Sequence, residues 1–329
     1  MRARAIAAPL VLAAVVVLLG FTSLGIGENG IDPGNVVGII ATGSGDGAFT
    51  LLRLRLPRLV LAILVGAALG IAGTLLQTLL SNPLASPDLI GISQGASAAA
   101  VTAILILGWG GASVSIAAFL GAMAVAVLVA ALSWRQGLNG QRFVLIGVGL
   151  AFVVNALLGY LLTRSEVREA QSALAWLVGS LGTPRWDEVA VTAIGLGVLA
   201  VVLVPFAPML RTIQLGDDAA RGLGVPVTPA RIALTLLAVG LAAVAIAVAG
   251  PVAFVAFVAG PIARRIVGTS EAAVVTSALV GAVVVVGADI LAQHVLPTGR
   301  VPVGVVTSII GAPYLLFLLA RGNRRRDVA

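Results

Sequence analysis

Long apolar stretches, separated by short polar turns, run along the whole chain. A helix needs about 20 apolar residues to cross a hydrocarbon core about 30 Å thick. About ten such stretches occur, at roughly residues 7–26, 58–80, 89–108, 111–133, 142–163, 188–208, 230–249, 251–267, 272–293 and 301–320. They are longer than the strands of a membrane barrel, which need about ten residues each. The pattern predicts an all-α polytopic membrane protein, with about ten transmembrane helices in one domain over residues 1–329.

Two of these stretches have special features. The eighth is short and contains Gly250, Pro251, Gly260 and Pro261, so we expect it to be bent or broken where neighbouring helices can satisfy the freed backbone groups. The first follows a basic start, as a signal peptide would. Its apolar run is long and no A-x-A site follows it, so we expect it to remain as the first helix.

Composition agrees with a membrane protein and excludes several kinds of chemistry. The chain is 60% hydrophobic and 10% charged, whereas soluble domains are roughly 25% charged. It has no cysteine, which excludes disulfides and thiolate metal sites. All 20 basic residues are arginine, so the chain has no GxxxxGK[ST] phosphate loop and cannot be a self-contained P-loop ATPase. Catalytic spacing of carboxylates, of Ser, His and Asp, or of histidines is also missing, so we predict no enzyme.

The distribution of arginine predicts the orientation in the membrane. Placing both termini in the cytoplasm puts most of the 20 arginines on that side, as the positive-inside rule favours. The net charge of +7 therefore reports topology, and no nucleic-acid partner is expected. Arg53, Arg55 and Arg58 are exceptions at the outer end of the second stretch. They either extend to lipid phosphates or form a basic patch that binds carboxylates of a partner.

Two cytoplasmic connections have unusual sequences. SNPLASPD (81–88) contains two prolines, which end one helix and reset the chain for the next. RTIQLGDDAARGLGVPVTPAR (211–231) is longer than a simple turn requires. It predicts a short helix that starts near Gly216 and Asp217 and ends at Gly222 or Gly224. This segment is either a solvated loop or a surface helix that binds a cytoplasmic partner.

A few polar residues remain within or beside the apolar stretches. Asn155 lines a path or bonds to a neighbouring helix, and Asp289 has either a structural role or an ion-binding role. The single histidine, His294, is expected to be solvated, because one histidine cannot form a metal site. Outside the membrane, 172–182 is amphipathic enough for a short interfacial helix, and the basic tail at about 322–329 is predicted to be disordered.

Several segments together resemble the FecCD-type permease family, the membrane subunits of ABC importers for ferric siderophores, haem and cobalamin. The matching segments are RLPRLVLAILVGAALGIAGTLLQTLLSNPLASPDLIGISQGAS (55–97), WLVGSLG (176–182), LGDDAARGLGV (215–225), AGPVAFVAFVAGPIARRIVG (249–268) and VPVGVVTSIIGAPYLLFLLAR (301–321). The resemblance implies a permease in the bacterial cytoplasmic membrane, paired with a second copy or a paralogous permease. Two cytoplasmic ATPase subunits would bind ATP and Mg, and an extracytoplasmic binding protein would deliver the substrate. This chain would hold no cofactor. Ferric siderophore is the expected substrate, with cobalamin or haem as the alternative.

The resemblance also implies roles for particular residues. Arg55 and Arg58, with Arg300 as a third contact, would dock the binding protein. The cytoplasmic turn and pathway would include Gln77, Asn82, Pro83, Gln94 and Asn155. The ATPase-coupling residues, within a segment at about 211–229, would be Leu215, Gly216, Asp217, Asp218, Ala219, Ala220, Arg221, Gly222, Leu223 and Gly224.

This chain departs from the family pattern in three places. Gly260-Pro261 stands where Pro-His is usual, Gln293 stands where arginine is common, and Arg300 stands where glutamate is usual. The last two change the charge of the outer surface and weaken the assignment of Arg300.

Two other functions fit the sequence less well. A secondary transporter would need a coupling-ion site inside the membrane, for which Asp289 is the charged candidate. An intramembrane enzyme could use Ser93 or Ser97, but no His or Lys at that depth would activate either hydroxyl.

Overall fold

The computed structural model describes residues 2–26, 31–133, 140–268, 273–295 and 301–324, and the regular structure within these ranges is helical. The α-helices are α1 (Arg2–Gly25), α2 (Pro33–Thr42), α3 (Leu56–Leu79), α4 (Ile92–Leu105), α5 (Ala112–Ser133), α6 (Gly140–Arg164), α7 (Val167–Leu177), α8 (Trp186–Leu203), α9 (Ala207–Ile213), α10 (Asp217–Gly222), α11 (Val227–Ala249), α12 (Val255–Val267), α13 (Val274–Ile290) and α14 (Val303–Arg324). A π-helical segment, Thr50–Arg55, leads directly into α3.

Seven helical segments in the described ranges are long and apolar enough to cross a membrane, which confirms the prediction of an all-helical membrane protein. They contain α1, α3, α5, α6, α8, α11 and α13. Two of the other predicted spans correspond to shorter apolar helices, α4 and the part of α14 from Val303 to Phe317. The third, the eighth stretch, contains the 13-residue helix α12. The count of ten crossings and the cytoplasmic position of both termini stay predictions.

Helix α3 forms the centre of the fold. In its most apolar window 72% of the residues are buried, against 17% in α1 and in α6. It packs on α8, α11, α12 and α13, while α4 packs on α5, α6, α7 and α11. The outer helices instead expose large apolar side chains such as Leu10, Phe152 and Val201, as expected for surfaces in contact with lipid.

Glycine allows α3 and α13 to cross closely. A Cβ atom added to Gly66 would lie 2.4 Å from the carbonyl oxygen of Gly281, and one added to Gly281 would lie 2.0 Å from the carbonyl oxygen of Gly66. Neither residue can therefore carry a side chain without moving the helices apart. Close backbone approach through small residues is a common way to pack helices in membranes, where apolar burial drives association only weakly.

The predicted break in the eighth stretch lies at only one of its two Gly-Pro pairs. The chain leaves the helical conformation from Gly250 to Phe254, between α11 and α12. At the second pair the prediction is wrong, because α12 continues through Gly260 and Pro261. Pro261 is the seventh residue of this 13-residue helix, so it leaves the Phe257 carbonyl, four residues earlier, without its helical donor. The Gln77 side chain of α3 donates to that carbonyl at 3.0 Å, so a neighbouring helix satisfies the freed backbone group.

The loop after α7 is fixed to two other elements. Helix α7 starts and ends five residues earlier than the interfacial helix predicted at 172–182, and the two overlap over residues 172–177. The Ser180 N–H donates to the Ala249 carbonyl at 2.7 Å, and the Gly304 N–H donates to the Gly179 carbonyl at 3.1 Å. The WLVGSLG segment thereby connects the end of α11 to the start of α14.

Candidate functional site

A cavity of about 780 Å³ lies among α4, α6, α7 and α14, beside the break between α11 and α12. Its polar lining comes from Asp88, Ser93, Gln94, Ser97, Asn155 and Ser308. Leu158, Leu162, Leu177, Val305 and Ile309 contribute apolar surface. Pockets that accept organic ligands combine mostly apolar walls with a few placed polar groups, and this lining has that character.

Two of the predicted pathway residues meet in this cavity. Gln94 lies in the first turn of α4, and Asn155 lies midway along α6. The Gln94 side-chain oxygen is buried and has no hydrogen-bond partner among the described residues. A buried polar atom without a partner is unfavourable unless water or a ligand satisfies it. Gln94 therefore leaves one buried acceptor unsatisfied at the wall of the cavity.

Asp88 links the cavity wall to the interrupted helix pair. Its carboxylate accepts a hydrogen bond from the Ser93 hydroxyl and lies beside the backbone N–H of Phe254, the residue that precedes α12. Sequence reasoning explained SNPLASPD as a turn and gave Asp88 no role. Only the fold reveals the contact, because Phe254 lies far along the chain.

Gln77 lies outside the cavity, although it was predicted beside the pathway. It is buried in α3, where its side-chain amide donates to the Phe257 carbonyl at 3.0 Å. Its side-chain oxygen accepts from Arg264 Nη2 at 3.0 Å. A Cβ on Gly260 would lie 2.4 Å from that oxygen. The Gly-Pro departure from the family pattern therefore leaves room for a polar contact between α3 and α12.

Asn82 and Pro83 shape the turn and do not line the cavity. The Asn82 side chain accepts from the Leu84 N–H at 2.9 Å, and the Asn82 N–H donates to the Gln77 carbonyl at 3.1 Å. These bonds replace the helical ladder beyond α3, as is typical of asparagine in turns. Pro83 is exposed.

Of the three predicted docking arginines, two lie in the described residues and make internal contacts. Arg55 Nη1 donates to the Leu24 carbonyl at 2.6 Å. Arg58 forms an ion pair with Asp289, with Nη2 2.8 Å from Oδ1, and also donates to the Gly182 carbonyl. The Gln293 amide donates to the same carboxylate at 2.6 Å. Arg300 lies outside the described residues.

The ion pair with Arg58 explains the structural roles of Asp289 and Gln293. Asp289 is buried, and its charge is balanced inside the protein, which supports the structural interpretation of this carboxylate over an ion-binding one. The neutral amide of Gln293 completes the hydrogen bonding of Asp289 where another cation is common in the family.

The predicted cytoplasmic helix is present as α10. It starts at Asp217 after Gly216 and ends at Gly222, as expected from the sequence. Asp217 pairs with Arg231 of α11 at 2.7 Å, and Asp218 pairs with Arg221 at 2.9 Å. Leu215 and Leu223, at its two ends, are 68% and 67% exposed. The two leucines leave apolar side chains exposed at both ends of a short charged helix.

The match to a family model decides which proteins this chain belongs with. The model of the FecCD transport family matches residues 15–321, almost the whole chain. The chain belongs to the FecCD transport family. This confirms the resemblance seen in the sequence and the expected place of the chain as a multi-pass permease in a bacterial membrane.

Curated relatives and a solved structure agree with membership of the FecCD transport family. The Fe(3+)-citrate import system permease protein YfmE of Bacillus subtilis is 37% identical over 325 residues, which cover 98% of this chain and 97% of the relative. The achromobactin transport system permease protein CbrC of Dickeya dadantii is 40% identical over 303 residues, covering 91% and 87%. A metal-chelate type ABC transporter solved in an inward-facing conformation aligns with a TM-score of 0.83 at 25% identity, covering 96% of this chain and 99% of that one.

Proposed function

We propose that this chain is the transmembrane permease subunit of an ATP-driven ABC importer for ferric siderophores. The family match over residues 15–321 carries the proposal. It is supported by relatives named for the import of Fe(3+)-citrate, achromobactin and ferric enterobactin. The polar-lined cavity among α4, α6, α7 and α14 gives such a chelate a place to pass.

ATP hydrolysis is assigned to two separate cytoplasmic subunits, because this chain has no phosphate loop. Helix α10 and its flanking leucines would dock into those subunits, with Leu215–Gly224 as the coupling segment. ATP binding would move α10, and the membrane helices would rock to open the cavity to one side and then to the other. An extracytoplasmic binding protein would deliver the chelate at the end of α3 that carries Arg55 and Arg58.

A second permease, either another copy or a paralogue, would complete the path. Two helices that line the cavity, α6 and α14, also expose large apolar side chains, including Phe152, Val153, Ile309 and Phe317. Some of these side chains would then contact lipid, and others would contact the second permease. A partner permease placed against α6 and α14 would close the open side of the cavity.

Haem is the second candidate substrate. The hemin transport system permease protein HmuU of Yersinia pestis is 34% identical over 284 residues, which cover 84% of each chain. The cavity lining has no histidine to ligate haem iron, so an intact chelate of either kind would be carried without bonds between the protein and the metal.

Gentle extraction of the tagged chain from its native membrane, followed by mass spectrometry, tests the proposal. A P-loop ATPase at about one copy per permease is the expected companion, and a second permease-like chain would establish pairing with a paralogue. Reconstituted complexes with their binding protein should then take up radioactive iron as a siderophore complex when ATP is supplied. Uptake that depends on a proton gradient and does not require ATP would favour a secondary transporter instead.

A further inference from the structure

Phe254 has a backbone conformation that a bulky residue seldom adopts. Its φ is +66°, in the left-handed region, at the break between α11 and α12. In this region the side chain crowds the backbone, so bulky residues occur there only when other contacts hold them in place. The contacts that hold Phe254 therefore indicate what the conformation is for.

The Phe254 side chain lies against α14 just beyond the cavity. On α14 the cavity is lined by Gly304, Val305, Ser308 and Ile309, and the next contact along the helix is between Gly311 and Phe254. A Cβ atom on Gly311 would lie 2.2 Å from the Phe254 Cβ and 2.5 Å from its Cγ. Phe254 thus packs directly on the α14 backbone and closes the gap between α12 and α14 there.

Neighbouring groups fix this aromatic side chain from two sides. The Phe257 ring meets the Phe254 ring edge to face, with centroids 6.5 Å apart and an interplanar angle of 84°. The carbonyl of Phe257 is bonded to Gln77 of α3, so the first turn of α12 is tied to the central helix. Asp88, which lines the cavity, places its carboxylate beside the backbone N–H of Phe254 itself.

We propose that Phe254 is the inner gate of the cavity and that Asp88 is the positioning residue that holds the gate closed. Loss of the attraction between the Asp88 carboxylate and the Phe254 N–H lets φ relax to ordinary negative values, which carries the side chain away from Gly311. Because Asp88 also lines the cavity, a solute there can reach the residue that holds the gate. The inference rests on the proposed function, since a gate matters only where a solute crosses.

Thiol labelling measures the gate directly, because the chain has no native cysteine. Ser308→Cys places one thiol in the cavity wall on α14. Inverted membrane vesicles are treated with a positively charged, membrane-impermeant methanethiosulfonate reagent, and the labelling rate is compared with and without Phe254→Gly. Glycine keeps the left-handed backbone and its N–H but removes the ring. We expect labelling at least about tenfold faster, and an unchanged rate would overturn the gate.

A second variant, compared with a matched control, moves the Phe254 ring without removing it. Gly311→Ala forces Phe254 off α14 and should also speed labelling from the cytoplasmic side. Gly287→Ala on α13 is the matched control, since a Cβ there meets nothing within 4 Å. Equal rates for the two alanine variants would mean that Phe254 does not close the cavity. The same reagent applied to right-side-out vesicles should label all variants at similar rates.

The role of Asp88 is tested by the contrast between Asp88→Asn and Asp88→Ala. Asparagine keeps an oxygen beside the Phe254 N–H and should label like the parent, whereas alanine should label about as fast as Phe254→Gly. A purely structural role would lower the thermal unfolding midpoint of the alanine variant without changing access in the folded fraction, and that outcome would overturn the positioning role. If Asp88→Ala does not insert, Asp88→Ser replaces it under the same criterion.

This test can fail independently of the proposed function. Labelling requires only the folded chain in its membrane and needs neither ATPase, substrate nor binding protein. If the chain supports ATP-driven uptake but Phe254→Gly leaves the labelling rate unchanged, only the gate proposal is refuted. If Phe254→Gly speeds labelling but the chain never associates with an ATPase, the importer proposal is refuted, and Phe254 is the inner gate of another kind of transporter.

Discussion

At the scale of single residues, the strongest electrostatic feature is the ion pair between Arg58 and Asp289. Both partners are largely buried, since 17% of the Arg58 side chain and 4% of the Asp289 side chain are exposed. Breaking a buried pair leaves an unpaired charge, which costs far more than the pair itself contributes. The pair connects the start of α3 to the end of α13, and through Gly182 it also holds the loop after α7.

Arg58→Met should therefore destabilise the chain by about 3–5 kcal/mol, because Asp289 is left buried and unpaired. The double variant Arg58→Met, Asp289→Leu should recover much of the loss. The measurement is thermal unfolding in detergent, followed by the fluorescence of the four tryptophans.

The exposed pair Arg185–Asp187 provides the control for this cycle. Its side chains are 78% and 63% exposed, and such surface pairs contribute about 0–1 kcal/mol. Arg185→Gln should therefore leave the unfolding midpoint nearly unchanged. A double variant no more stable than Arg58→Met would show that the two charges are not coupled.

At the scale of elements, packing around α3 depends on close backbone contact. Ala256 lies as near to α3 as Gly281 does, since a Cβ on Gly73 would fall 1.8 Å from the Ala256 carbonyl oxygen. The helix can be surrounded by α8, α11, α12 and α13 because its small residues keep its radius low. The α3–α13 crossing should therefore be sensitive to a single methyl group.

Gly281→Ala should destabilise the protein by about 1–3 kcal/mol, the usual cost of overpacking a tight core. Gly287→Ala lies on the same helix in open space and should be neutral or slightly stabilising, because alanine favours helix over glycine. The two variants can be compared by their unfolding midpoints. Equal midpoints would mean that α3 and α13 tolerate separation.

The sequence predicted the helices better than it predicted their interruptions. Apolar run length locates a membrane helix well, because the hydrocarbon thickness sets that length. Gly-Pro pairs at 250–251 and 260–261 looked equivalent, yet only the first breaks the helix. The difference comes from tertiary contacts that no local pattern encodes, since the Gln77 side chain of α3 satisfies the Phe257 carbonyl that Pro261 leaves without a donor.

At the scale of the whole molecule, α10 is the described element best suited to a cytoplasmic partner. Leu215→Ser together with Leu223→Ser removes exposed apolar surface that docking would bury, while the buried residues stay unchanged. We expect the amount of co-purifying ATPase to fall at least about tenfold, which corresponds to 1.4 kcal/mol.

Val37→Ser on α2 serves as a control for that variant. Val37 is also exposed, at 57%, but its helix packs near the junction of α1 and α3, away from α10. The control should retain the ATPase. Retention by the leucine double variant as well would place the coupling surface elsewhere.

Docking of the binding protein is predicted to depend on Arg55. Arg55→Glu should slow association with the purified binding protein, because charges at the rim of an interface act mainly on the association rate. Arg168→Glu, an exposed arginine on α7, provides a control of equal charge change. Arg58 is unsuitable for charge reversal, since a glutamate there would face Asp289. Equal association rates for the two variants would remove Arg55 from the docking surface.

The candidate site could be predicted in part from the sequence. Asn155 stood out as a polar residue in an apolar stretch, the family resemblance implied Gln94, and both line the cavity. The resemblance also implied Gln77, which instead bonds between α3 and α12, because a polar residue in a membrane helix serves packing as readily as transport. Asp88 and Phe254 were missed, since each depends on a contact with a distant segment.

The separation of Arg58 and Asp289 along the chain also affects how the protein is made. Their positions differ by 231 residues. At roughly 5–20 residues per second, a ribosome needs on the order of 10–50 s to add that length. During this interval α3 is already synthesised, but its charged partner and the glycine surface of α13 do not yet exist. The Arg58 charge and the glycine surface of α3 therefore stay without their partners for most of the time that the chain takes to be made.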